Sequence, residues 1–288
     1  MGNRFVIMRF TGLLVLLAAV WGLCPPPASA REGQNAAPFD RAQQTRRVTL
    51  RPSPATPGEK KQVRCFTFAH VMVKEIDAGE IGDEQISIQP IVSTQDRLPC
   101  QAKNAANERV IPSDSWSGYF LGSKDDYVFL SAEDGVNGGL GFSVYHGADT
   151  TSAFQDSVKF DRDHLRFQSI AGDAAGLRLR YTRVYTGPCS VQSEGAACWA
   201  RIAAETHLLP APAPDCAAGY LRAKQDLATE RCKIEHPKDA GCVKQEMQRM
   251  QADDASPSVI GYDVDALIQP TQKSIQPSGG AVTCWPAD

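Results

Sequence analysis

The sequence predicts a mainly β fold, an antiparallel sandwich or distorted barrel with an inserted α-helical hairpin. Three observations lead there. Residues 117–189 read as five or six short strands in succession, with Tyr127-Val128-Phe129-Leu130 as the most apolar stretch. Glycine-rich turns separate these strands, the rhythm of sandwich and barrel chains. Eight of the nine cysteines lie beyond residue 30, an even set suited to a disulfide framework.

The first 30 residues read as a signal peptide. Arg4 and Arg9 form a basic start, residues 13–20 are apolar, and Ala28-Ser29-Ala30 is a small-x-small cleavage pattern. The apolar run is too short to span a bilayer, and Pro25-Pro26-Pro27 would break a helix just after it. Cys24 follows Leu23, where a lipid-attachment site wants a small residue. The mature chain is therefore expected to start at Arg31. The whole sequence holds 30 basic and 33 acidic residues. Loss of Arg4 and Arg9 with the leader leaves a net charge of about −5, which argues against a nucleic-acid partner. No other stretch reaches membrane-helix length, so no membrane span is expected after cleavage.

Residues 31–62 read as a flexible arm. Pro38, Pro52, Pro54 and Pro57, with Gly33 and Gly58, leave little apolar surface to bury. Residues 63–288 are expected to form one disulfide-stapled β-rich domain. Residues 63–76 are rich in Val and Phe, which favours a strand. Asp77-Ala78-Gly79 signals a turn. Ile86, Ile88, Pro90 and Val92 then alternate with Gln85, Ser87 and Gln89, a half-buried strand placed at an edge by Pro90.

Tyr127 and Phe129 fall on one face of their strand, Val128 and Leu130 on the other, so this strand should be covered on both sides. Residues 135–141, with four glycines, resemble a phosphate loop only superficially. They lack its Lys-Ser/Thr and precede a strand, so they read as a tight turn. Leu140, Phe142 and Val144 share a face in the next strand. Leu177, Leu179 and Tyr181 share one face of a later strand, while Val184 lies opposite, a slip that a bulge near Thr182-Arg183 would produce.

Cys189 and Cys198 bracket a polar loop and read as a hairpin tied across its mouth, with residues 199–204 as the return strand. The alternating prolines of residues 209–214 make a stiff linker. Asp215 is a good N-cap, and Tyr220, Ala223, Leu227 and Ile234 follow at helical spacing. Val243, Met247 and Met250 mark a second helix, which gives a helical hairpin over about 214–252. Cys216 and Cys232 would stand about 24 Å apart along one helix, too far to bridge. Cys232 and Cys242 flank the turn and should pair. The four remaining cysteines allow three pairings, of which Cys65–Cys100 with Cys216–Cys284 is the one expected. Ile260, Tyr262, Val264, Ala266 and Ile268 form the cleanest alternation in the chain. Residues 269–280 are turn-like, and Cys284-Trp285-Pro286 pins the end.

No catalytic constellation emerges. His70, His146, His164, His207 and His236 form no H-E-x-x-H pattern, and no serine sits in G-x-S-x-G. Paired cysteines offer no free nucleophile, and no cofactor or metal motif is found. Asp125, Asp126, Asp134, Asp161 and Asp163 occupy inter-strand turns. Two of them converging in a cleft would suit a carboxylate-dependent hydrolase acting on an envelope polymer, and oxygen-rich turns of this kind also attract calcium. Trp116, Tyr119, Tyr127, Tyr145, Tyr181 and Tyr185 are dense enough to line a binding face, though core is the simpler reading. The expectation is an exported, non-enzymatic binding protein, periplasmic or secreted, whose partner lies in the cell envelope or outside. The carboxylate hydrolase and a structural envelope component are the alternatives.

Overall fold

A computed structural model describes residues 39–51, 61–79, 81–93, 99–113, 115–161, 164–165, 167–173, 176–208, 212–236, 239, 241–270 and 272–287. All of them belong to one compact unit, residues 37–288. The stretch read as a signal peptide, residues 1–30, lies outside the described residues.

Two antiparallel sheets make the frame, with a helical insertion, as expected from the strand rhythm. The smaller sheet is an uninterrupted meander of β1 (Gln44–Thr49), β2 (Gln62–Thr67), β3 (Val71–Asp77), β4 (Gln85–Pro90) and β5 (Arg109–Ile111). The larger one is built from β6 (Gly118–Lys124), β7 (Tyr127–Val136), β8 (Gly139–His146), β9 (Ser152–Asp161), β12 (Gly176–Thr186), β13 (Ser258–Ile268) and β14 (Lys273–Pro277). Three further strands join its sides: β10 (His164–Leu165), β11 (Phe167–Asp173) and β15 (Thr283–Pro286). The ladders run from β6 to β14 without returning to β6, so the barrel alternative is not realised.

Alternation decides which side of each strand is buried, and here both sides are covered. Val71, Val73, Ile86 and Ile88 of the small sheet meet Val128, Leu130 and Tyr145 of the large one. Phe129, between Val128 and Leu130, points to the other face of β7. There it joins an aromatic cluster of Phe39, Phe142, Phe167 and Tyr181, with ring centroids 5.1–6.2 Å apart. That explains the unbroken apolar run at 127–130. The outer face of the small sheet is covered too, so Ser87 and Gln89 are buried rather than solvated. The connection after β4 lies over it, with Ala102 and Cys100 packed near Val63, Cys65 and Met72. Pro90 pairs with Val71 beyond the reach of the three-residue β5, where no ladder hydrogen bond is asked of it.

Several expectations need correction. Part of the segment read as an arm belongs to the unit: β1 pairs with β2 over its whole length. Phe39 seats against the glycine at 122, where a Cβ would come within 2.4 Å of its ring. Composition hides this because β1 buries almost nothing and is held by its ladder. Residues 63–76 are two strands, β2 and β3, joined by a short turn. The slip at Val184 is not a bulge. β12 pairs with β13 in continuous register from Leu177 to Thr186. Val184 is buried on the opposite face, packed where a Cβ on Gly139 would touch it. Residues 273–277, read as a turn, form β14.

The largest correction concerns residues 189–206. No hairpin forms there. Helices α1 (Val191–Glu194) and α2 (Ala196–Thr206) follow each other, broken by Gly195 at φ +58°. Cys198, Trp199, Ile202, Ala203 and Thr206 make the buried face of α2. The hairpin insertion is present as α3 (Ala217–Glu235) and α4 (Cys242–Arg249), followed by a 3-10 turn over Met250–Ala255. Cys216 takes the N-cap position of α3 in place of Asp215, whose carboxylate accepts from the Ala217 N–H at 3.0 Å.

All four cystines pair as the sequence suggests: Cys65–Cys100, Cys189–Cys198, Cys216–Cys284 and Cys232–Cys242. Such a set belongs to an oxidising compartment rather than the reducing cytoplasm. Among the described residues, no helix is long and apolar enough to cross a membrane.

Candidate functional site

Among the described acidic side chains, Asp125 and Asp126 are not brought to Asp134. Asp125 and Asp126 form the exposed turn between β6 and β7, while Asp134 lies near the far end of β7. Eight residues of strand separate Asp126 from Asp134, roughly 26 Å at about 3.3 Å per residue. The side chain of Asp161 and all of Asp163 lie outside the described residues, as does the side chain of His164. His146 is half-buried against Tyr127, their rings 4.9 Å apart. His207 and His236 terminate α2 and α3, and His70 is exposed. The glycine run at 135–141 is a two-residue hairpin turn, Asn137-Gly138, with both residues at positive φ. Among the described residues, no three His, Cys, Asp or Glu side chains are grouped as metal ligands would be.

The aromatics divide. Tyr145 and Tyr181 are core, while Trp116, Tyr119, Tyr127 and Tyr185 are half-buried. Tyr181 donates to the Asp156 carboxylate, which also accepts from Arg183 Nε at 2.9 Å; Arg183 Nη1 reaches the Tyr262 hydroxyl at 3.1 Å. Burial, reinforced by the Asp156 charge, pushes the Tyr181 phenol far above its ordinary range. This network braces β9, β12 and β13 against one another.

Along α3 the described surface is concave and has a built platform. Two adjoining hollows of about 600 and 490 Å³ lie along one stripe of α3 and share Gly138, Ala223, Asp226 and Trp285. Lining residues run from Asp215 to Glu230, about 22 Å of helix at about 1.5 Å per residue. Trp285 is the common wall. The first hollow adds Leu227, Met250 and Pro286, and the second adds Lys159, Phe160 and Arg222.

Local structure holds the indole in place from several directions. Trp285 sits in β15 opposite Val259, and the neighbouring Cys284 is bonded to Cys216 at the start of α3. Gly219 in the first turn of α3 lets the backbones meet, because a Cβ there would lie 1.8 Å from the Cys284 carbonyl oxygen. Gly261 passes under the ring, with room for no more than a hydrogen at 3.0 Å. The indole N–H donates to the Asn137 carbonyl at 3.1 Å, and Lys159 Nζ stands 5.2 Å from the ring centroid, a cation–π contact. Lys224 is neutralised by Asp254 at 2.6 Å. Leu227 remains 46% exposed, an apolar side chain on the wall of a wet groove.

Sequence reasoning missed this site. Its parts come from the β7–β8 turn, β9, α3 and β15, so no local pattern unites them. The one available signal was Cys284-Trp285-Pro286, a large aromatic fixed beside a cystine. Comparison with known proteins adds no assignment: no family model, no curated protein and no solved structure matches the chain.

Proposed function

We propose that this chain is an exported, non-enzymatic binding protein, periplasmic or secreted, and that its ligand lies in the groove along α3 with Trp285 as the anchor. The supporting observation is the indole itself. It is cross-braced by a cystine, an Asn137 hydrogen bond and two close-packed glycines, yet it forms the wall of both hollows. A rigid aromatic costs little entropy to engage and supplies much contact area. The two hollows differ in chemistry, one lined by Leu227 and Met250, the other by Lys159 and Arg222. The matching ligand carries an apolar part and a polar, negatively charged or hydrogen-bonding part.

The test is a thermal-shift screen of the oxidised protein against fractionated peptides and oligosaccharides from envelope material. A ligand at about a hundred times its Kd should raise the midpoint by several degrees. Leu227→Asp changes an exposed groove position and should weaken binding at least tenfold with the unliganded midpoint nearly unchanged. Lys159→Glu changes a half-buried one that also contacts the Trp285 ring, and should weaken binding at least tenfold. Equal protection of wild type and both variants would place the ligand elsewhere and discard this reading.

A further inference from the structure

The two sheets meet at a second feature, independent of the groove. Glu75 in β3 is almost fully buried between the sheets. Its Oε1 accepts from the Phe120 N–H of β6 at 2.6 Å, so one carboxyl links small sheet to large. The turn before β4 reinforces the junction: Asp83 N–H donates to the Gly118 carbonyl at 2.9 Å, and Gly82 N–H to the Tyr119 hydroxyl at 2.7 Å. The Asp83 side chain is wholly buried beside Glu75.

Charge counting makes this arrangement unusual. The cation serving it is Arg64 of β2. Its Nη2 donates to Asp83 Oδ1 at 3.0 Å and lies 3.6 Å from Asp77. Its Nε is 3.2 Å from Glu75 Oε2 but is not aligned for a hydrogen bond. Asp83 Oδ2 has no donor when both acids are ionised. The other charges near the junction are spoken for: Glu133, against Gly82, accepts from Ser117, and Glu84 pairs with Lys61 at 2.9 Å. No described histidine faces the pair. One guanidinium therefore serves three carboxyl groups, two of them buried. Two buried carboxyls side by side do not both ionise readily, and one proton between them supplies the missing donor.

We propose that Glu75 and Asp83 form a proton-held latch between the two sheets, closed while the pair shares one proton and released when both carry charge. Burial, with the adjacent Asp83, raises the Glu75 carboxyl to about 8. In the unfolded chain the same group ionises near its ordinary 4.5. Between those values folding takes up a proton, so the latch is at full strength in acid and weakens as pH rises through about 8.

The experiment compares thermal unfolding of the oxidised wild type with Glu75→Gln from pH 6 to pH 9. A carboxamide keeps the acceptor for Phe120 and donates to Asp83 without titrating. The wild-type midpoint should fall relative to the variant by about 5 °C between pH 6 and 8. Parallel curves would overturn the latch. A second measurement guards against a variant that fails to fold. A ¹³C carboxyl titration of the unaltered protein should show Glu75 responding near pH 8, and a response near its ordinary value would overturn it equally.

Discussion

Lys74→Met, with Glu108 left in place, is expected to cost about 3–5 kcal/mol of folding stability. Lys74 is 2% exposed and its ammonium lies 2.5 Å from Glu108, itself 3% exposed. The pair sits on the outer face of the small sheet, under the connection that follows β4. Asn104 accepts from Lys74 Nζ at 2.8 Å, and Ser87 and the Ala105 N–H donate to the Glu108 carboxylate. Removing the ammonium strands a carboxylate where water cannot reach it. The Lys74→Met/Glu108→Gln double variant removes both charges, keeps an acceptor for the Ala105 N–H, and lets the new amide donate to the Ser87 hydroxyl. It should recover at least half of the loss. Urea unfolding of the three proteins measures this directly. A single variant within 1 kcal/mol of wild type would mean that the site opens to water and that the ion pair does not hold the connection down.

Replacing Cys216 and Cys284 together by serine should cost about 4 kcal/mol, because the cystine closes a separation of 68 residues. The same change at Cys189 and Cys198, only 9 residues apart, should cost about 3 kcal/mol. The ordering is the sharper prediction, since it depends on loop length and not on the absolute scale. For the longer loop a second effect follows. Cys284 precedes Trp285 and is packed on Gly219, so losing the cross-link frees β15 from α3 and loosens the wall of both hollows. Denaturant unfolding gives the stability order. Fluorescence quenching by acrylamide should rise more in the Cys216/Cys284 variant than in the other, because it alone unmoors Trp285. Reversal of the stability order would contradict this account of the cross-links.

What the sequence disclosed follows from what is local in it. The alternation at Ile260, Tyr262, Val264, Ala266 and Ile268 became β13 because a strand with a buried face writes its period into neighbouring residues. The Cys232–Cys242 cystine was recoverable because helix geometry forbids Cys216–Cys232 and a turn brings Cys232 to Cys242. The misreading of α2 was avoidable: Cys198, Ile202 and Thr206 recur at four-residue spacing, a helical signature that the nearby cystine obscured. Lys74 and Glu75 could not have been read. Adjacent charges directly after Val71-Met72-Val73 look like the frayed end of a strand. Their burial depends on Glu108, Asp83 and Phe120, which the fold alone brings near. The same holds for Trp285, whose surroundings come from four separate parts of the chain.

Strand β1 ends the small sheet, and no described strand pairs with its outer side. Such a border is a template on which a second copy could add itself. In β1 the central residues are Arg46 and Arg47. If two copies met edge to edge, antiparallel and fully overlapped, each Arg46 would stand opposite the other copy's Arg47. Like charges directly across a ladder repel. The exposed border thus carries its own deterrent against fibrous self-association, one that a single Arg47→Thr exchange would weaken.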